Sequence, residues 1–166
     1  WDEVIRVSEH AASLGGSQIY LKPGEEMQVR DLFKSIAIAS ANDAVTALAE
    51  RVAGTEEAFV EKMNAKAKEL GMNDTVFKNP TGLTEEGHLT TPYDMSIIGR
   101  HLVQDYPEII EFSGLYEDYI RQDTESPFWL VNTNKLLKYV DGVDGLKTGY
   151  TQEAGYCLTA TANRGE

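Results

Sequence analysis

Between Val29 and Ala39 apolar residues recur three and four apart, placing Leu32, Phe33, Ile36 and Ala37 on one face, and the run stops near Ser40. That spacing predicts a helix. A second stripe follows almost at once with Val45, Leu48, Ala49 and Val52, closed by Gly54. A third helix is expected over roughly 56–70, carrying Phe59, Met63, Ala67 and Leu70 ahead of Gly71. Further on, Thr91 can cap a helix through its hydroxyl and Pro92 brings a preset φ to the first helical position, with Met95, Ile98 and Leu102 as the apolar face. Pro107 opens a short helical turn to Phe112.

From Tyr116 onward the period changes from helical to alternating. "YEDYIR" and "FWLV" are rich in aromatic and β-branched residues, and 145–151 and 156–162 read as two strands around a short turn. Near the start, "LGGSQIYLKPGEEM" reads as two short extended pieces around a Gly-Gly and a Pro-Gly turn, and "NDTVFKNPTGL" holds two more turn signals. Helices first and strands last predict an α+β fold, with an antiparallel sheet leaning on helices. Only the last two strands form a clear hairpin, which is marginal in water without further cover. The closing "NRGE" has the composition of a turn leading to another strand. Residues 1–166 are therefore expected to be a single domain truncated at both ends.

Composition narrows the function classes. A net charge of -12 argues against a broad nucleic-acid surface, because phosphate binding needs clustered Lys and Arg. An anionic ligand would need a local positive pocket. No run approaches the ~18 to 20 apolar residues of a membrane span, and "WDEVIRVSEH" lacks the build of a signal peptide. The single cysteine, Cys157, sits among alternating apolar residues and is expected to be packed in a strand. His10, His88 and His101 lie far apart without metal-ligand spacing, so surface or capping roles are expected for each.

The motifs exclude more than they admit. "GLKTG" has Leu146 before Lys147 where a phosphate loop needs glycine, and Ser17 in "GGSQI" lacks the second glycine of a nucleophile elbow. What survives is a pair. "SIAIASANDAV" places Ser40, Ala41 and Asn42 at the junction of two helices, and Lys147-Thr148-Gly149 begins a late strand. Separately each has an ordinary explanation: Ser40 to Asp43 can cap the second helix, and an edge-strand lysine and glycine deter aggregation and permit a bend.

Together, S-x-N followed by K-T-G is two thirds of the signature of the serine penicillin-recognising enzymes, whose third element is an upstream S-x-x-K. At these residues the chain resembles the D-alanyl-D-alanine carboxypeptidases of peptidase family S11, the low-molecular-mass penicillin-binding proteins. The segments "GGSQIYLKPGE", "IASANDAVTALAE", "MNAKAKELGMNDTVFKNPTGL", "TTPYDMSIIGRHL", "NTNKLL" and "VDGLKTGYT" look like that family in the same order, above all the carboxypeptidases of spore-forming Gram-positive bacteria. The resemblance implies a β-lactamase/transpeptidase-like α+β fold. It also implies removal of the terminal D-alanine from peptidoglycan stem peptides through an acyl-enzyme, recognition of β-lactams, and no cofactor or metal.

By the same resemblance Ser40 shuttles a proton, and Lys147 holds a positive field beside Ser40 and the substrate carboxylate. Asn42 donates to a substrate carbonyl, Thr148 offers its hydroxyl to the carboxylate, and Gly149 lets the substrate backbone lie against the strand. The Tyr150 amide supplies half of an oxyanion hole, at a position where the family often carries Thr or His, and Ser17 lies at the rim. No serine here has a lysine three positions later; Thr75 to Lys78 imitates the spacing but lies in a turn-rich loop after Ser40. The nucleophile is thus expected upstream of Trp1, the chain alone is expected to be inactive, and an extracytoplasmic parent is expected to reach the membrane only through other segments. A noncatalytic peptidoglycan-binding homologue is the alternative of another class. A class A β-lactamase is disfavoured by the lack of a Glu-x-x-Leu-Asn loop between Asn42 and Lys147.

Overall fold

The computed structural model describes residues 1–165. Three separate two-stranded antiparallel sheets are set among seven helices in this part of the chain. β1 (Val4–Arg6) pairs with β2 (Glu26–Gln28) so that Ile5 faces Met27, both buried, with exposed residues on either side. The opening stretch, which carries no clear period, holds this strand and the one-turn α1 (Glu9–Ala12), capped by the Ser8 hydroxyl. Of the two extended pieces expected after Gly15-Gly16, only β2 is a strand. Residues 18–22 run irregularly: Tyr20 sits at φ +58°, and the Ile19 and Leu21 amides are met by the Asp43 side chain instead of a neighbouring strand.

α2 (Val29–Ala39) and α3 (Asn42–Ala53) pack against each other. The buried face of α2 is Leu32, Ser35, Ala37 and Ile38, which keeps Leu32 and Ala37 of the expected stripe but is rotated enough to leave Phe33 and Ile36 half-buried. In α3 the rotation is larger. Asn42, Asp43, Ala44, Thr46, Ala47 and Ala49 are buried, whereas Val52 is 61% exposed. Small side chains let α3 approach its neighbours closely, and that packing overrides the coarse apolar stripe. Ile19, Leu32, Ile38 and Leu130 are fully buried in the main core. Each contributes roughly 1.5–3 kcal/mol relative to exposure.

α4 (Glu56–Glu69) starts at the Thr55 hydroxyl and ends ahead of Gly71, whose φ of +77° suits glycine. α5 (Pro92–Asp105) begins as expected, with Thr91 Oγ1 accepting from the Asp94 amide at 3.1 Å and Pro92 in the first turn. α6 (Ile109–Ser113) follows. β3 (Glu117–Ile120) and β4 (Phe128–Val131) form a second hairpin, from Glu117↔Val131 to Ile120↔Phe128. After the single turn α7 (Leu136–Tyr139), β5 (Val143–Thr151) pairs with β6 (Gly155–Ala162) and packs on α6. Cys157 is exposed, which corrects the expectation of a packed residue: opposite Gly149 on a two-stranded ribbon it has no partner side chain to cover it. His10 and His101 pair with Glu56 and Asp105, while His88 is half-buried with its ring edge-on to Phe77.

Candidate active site

Ser40 ends α2 in the left-handed conformation, φ 57° and ψ 38°. The expected capping role is therefore corrected: Ser40 is the C-cap of α2, and Ala41, which has no side-chain oxygen, stands at the N-cap of α3. The turn directs the Ser40 side chain toward β5. There Lys147 Nζ lies 2.8 Å from Ser40 Oγ, although 107 residues separate them, and donates also to the Thr148 carbonyl at 2.7 Å. Burial lowers the Lys147 pKa to about 8. At neutral pH the amine is mainly an ammonium, so Ser40 Oγ accepts from it and keeps its own O–H for another partner.

Asn42 and Asp43 open α3 and hydrogen-bond to the segment 15–21. The Asn42 backbone N–H donates to the Ser17 carbonyl at 2.8 Å, and its side-chain Nδ2 donates to the Gly15 carbonyl at 2.8 Å. The Asn42 side chain thus has one N–H engaged within the chain and one left. Ser17 itself is exposed.

Two buried asparagines that the motif reading passed over bring β5 to this corner. Asn132 Nδ2 donates to the Ser113 and Leu115 carbonyls, and its Oδ1 accepts from the Asn134 amide. Asn134 Nδ2 in turn donates to the Gly145 carbonyl at 3.1 Å. Thr133, held between them, is exposed; its amide donates to the Ile38 carbonyl of α2 and its hydroxyl bonds the Thr148 hydroxyl. The Asn-x-Asn spacing of "NTN" was the available signal in the sequence: paired amides just after an apolar strand imply local backbone anchoring. Thr133 therefore joins Ser40, Lys147 and Thr148 in one cluster.

Gly149 and Tyr150 continue β5 outward, both exposed. A Cβ at Gly149 would meet only Cys157 Cβ at 3.9 Å, an ordinary contact, and its φ lies outside the range that needs glycine. Neither internal packing nor backbone conformation therefore demands a glycine there. The Tyr150 ring leans on Tyr156, centroids 4.7 Å apart. Two hollows of about 340 and 320 Å³ are lined by other residues, the first around Lys34 and Arg121 and the second around Trp1 and Leu102. Neither hollow is lined by Ser40 or Lys147, whose direct contact marks the candidate site.

The pattern of the D-alanyl-D-alanine carboxypeptidases matches residues 1–166. The carboxypeptidase DacF of Bacillus subtilis is 62% identical over 161 residues, covering 97% of this chain and 41% of that protein. DacC of Escherichia coli is 41% identical over 156 residues, covering 92% and 37% respectively. This chain therefore spans about two-fifths of the length of these curated relatives. Among solved structures, the carboxypeptidase DacD of Francisella tularensis superposes with a TM-score of 0.91 at 33% identity, covering 99% of this chain and 51% of that one. Penicillin-binding protein D2 of Listeria monocytogenes, in its ampicillin-bound form, gives 0.83 at 35%, covering 99% and 65%. With its α+β architecture of the transpeptidase/β-lactamase type and its family pattern matched along the whole length, the chain belongs to the D-alanyl-D-alanine carboxypeptidases, peptidase family S11.

Proposed function

We propose that residues 1–166 carry the S-x-N and K-T-G share of a serine-type D-Ala-D-Ala carboxypeptidase site, whose attacking serine lies in another part of the protein. The observation that carries this reading is the 2.8 Å hydrogen bond from Lys147 Nζ to Ser40 Oγ. A serine hydroxyl becomes a useful nucleophile when its proton has a destination. In the proposed reaction the attacking serine oxygen forms an ester with the penultimate D-Ala carbonyl, and the peptide bond to the terminal D-Ala breaks. The proton taken from the nucleophile passes through Ser40 to the leaving amine, and water then cleaves the ester.

Lys147 serves this sequence in two ways. Its ammonium orients Ser40, and it attracts the substrate carboxylate: unit charges ~4 Å apart at an effective dielectric of ~20 interact by roughly 4 kcal/mol. Thr148 and Thr133 share one hydroxyl–hydroxyl bond, so one of the pair keeps its O–H free, and that hydroxyl donates to the same carboxylate. Gly149 admits a substrate backbone alongside β5, in keeping with the absence of any internal need for glycine there. The remaining Asn42 N–H donates to a substrate carbonyl, the Tyr150 amide to the developing oxyanion, and Ser17 borders the substrate. Peptidoglycan stem peptides and β-lactams are the proposed ligands, and an extracytoplasmic, membrane-associated parent protein is the proposed setting. No described helix is long and apolar enough to cross a membrane.

The test uses the whole protein. It should release D-alanine from a D-Ala-D-Ala pentapeptide and carry a fluorescent penicillin as a covalent label that survives boiling in detergent, whereas residues 1–166 alone should carry none. A labelled band on the 166-residue chain would mean that the nucleophile has been misassigned. Binding of stem peptide without D-alanine release by the whole protein would favour a noncatalytic peptidoglycan-binding homologue.

A further inference from the structure

Asp43 is fully buried, and its carboxylate is spent on backbone amides. Oδ1 accepts from Ile19 at 3.2 Å and from Ala44 at 2.9 Å; Oδ2 accepts from Ile19 at 3.1 Å and from Leu21 at 3.0 Å. Its position in the first turn of α3 places the negative charge at the positive end of the helix dipole, which offsets part of the cost of burial. Asn42, one residue earlier, takes the other half of the same segment through the carbonyls of Gly15 and Ser17. The contacted residues are therefore 15, 17, 19 and 21. Gly16 at φ +80° and Tyr20 at φ +58° break the extended path, and with these bends the polar backbone groups of residues 15, 17, 19 and 21 all reach the start of α3.

The segment is pinned at both ends. Ile19 and Leu21 are buried in the core beyond Asp43, and at the other end Gly16, at φ +80°, passes so close that a Cβ would lie 2.8 Å from Asn42 Nδ2. Ser17 is left exposed between these anchors, on the same two-residue support that follows Ser40 and Ala41.

We propose that Asp43 is a positioning residue of the site: by suspending the segment 15–21 from α3 it holds Ser17 and the free Asn42 N–H as one wall against which the substrate peptide is aligned. This rests on the carboxypeptidase reading above. The charge matters as well as the shape. A carboxylate offers two acceptor oxygens, whereas the carboxamide of Asp43→Asn turns an N–H₂ toward amides that can only donate.

The test compares Asp43→Asn with wild type in the whole protein, by amide hydrogen exchange and by steady-state hydrolysis of a D-Ala-D-Ala pentapeptide. The expected result is exchange about tenfold faster or more at Ile19 and Leu21, unchanged exchange in the second half of α3, and a KM raised about tenfold with kcat within about twofold. Gly16→Ala strains the same segment from its other end without touching the core, and it should show the same split between KM and kcat. It decides the matter if Asp43→Asn fails to fold. Unchanged exchange at Ile19 and Leu21, or kcat and KM like wild type in both variants, overturns the proposal; so does faster exchange spread through all of α3. A wild-type protein that releases no D-alanine defeats the carboxypeptidase reading instead, and the exchange measurement still decides whether Asp43 holds the segment.

Discussion

Two polar regions flank α2, and they treat their cations in opposite ways. On the side of β3, Lys34 pairs with Asp118 at 2.8 Å and lies 3.8 Å from Asp31, and Arg121 pairs with Glu25 at 2.7 Å. Burial is the largest single influence on the carboxyls of Asp118 and Glu25 and pushes both up, but the hydrogen bonds from Lys34 and Arg121, those from the Tyr119 and Lys22 amides, and the neighbouring positive charges together outweigh it and hold both below their ordinary values. Their charges are spent inside the fold. At the C-terminal end of α2, Lys147 meets a hydroxyl and a carbonyl, and among the described residues it makes no salt bridge to a carboxylate. In a chain of net charge -12 that is the more informative arrangement. A half-buried cation left without an internal counter-ion pays a desolvation cost that an anionic ligand can offset, whereas a paired one has nothing further to give.

The largest effect that separates the two regions is on acylation. In the whole protein, Lys147→Ala should slow fluorescent-penicillin labelling and D-alanine release by about 10²- to 10³-fold or more, as expected when a preorganised charge is removed from a reacting centre. Lys34→Ala should leave both rates within about twofold. Equal losses in the two variants would mean that the unpaired and the paired lysine do not differ in role. Ser40→Ala should follow, with a loss of about 10²-fold in acylation if it carries the proton to the leaving amine. Stopped-flow acylation at fixed pH measures this directly, and a rate near wild type would remove Ser40 from the proton route.

Titration sharpens the comparison. With Lys147 lowered to about 8 by burial, the ammonium is lost as pH rises through that value, so acylation by the anionic peptide should fall above about pH 8. Lys147→Arg should carry whatever activity it retains to higher pH, because guanidinium does not titrate there. Stability should respond in the opposite direction. Between the folded value near 8 and the ordinary 10.5 the unfolded chain binds more protons than the folded one, so unfolding free energy should rise with pH across that window. The increment is roughly 3 kcal/mol, and denaturant unfolding of Lys147→Met should lack it. The smallest effect belongs to the paired region: Lys34→Ala should cost about 1 kcal/mol in the same unfolding measurement, the upper end of what a partly exposed ion pair yields. That pair's contribution is present at neutral pH and lost as pH falls through the depressed value of Asp118.

Local chemistry alone made much of this molecule legible. The Thr91-Pro92 start of α5, the glycines that close α3 and α4, the alternation that makes β5 and β6, and the pairing in order of S-x-N with K-T-G are all set within a few residues, by capping, backbone freedom and side-chain period. Other features depended on contacts that no local pattern encodes. The buried face of α3 follows the small residues that α2 and α1 can approach, not the stripe that includes Val52. Ser40 turns out to end one helix instead of starting the next, and Cys157 is exposed because nothing described covers that end of the ribbon. Most of all, the meeting of Ser40 with Lys147 depends on Asn132 and Asn134, whose buried amides tie α6 and the loop after β4 to β5, and on the Thr133 amide bonded to α2. Sequence determined which chemical groups were available; tertiary structure alone decided which of them touch, because hydrogen bonds spanning tens of residues form only once the core has brought their donors and acceptors together.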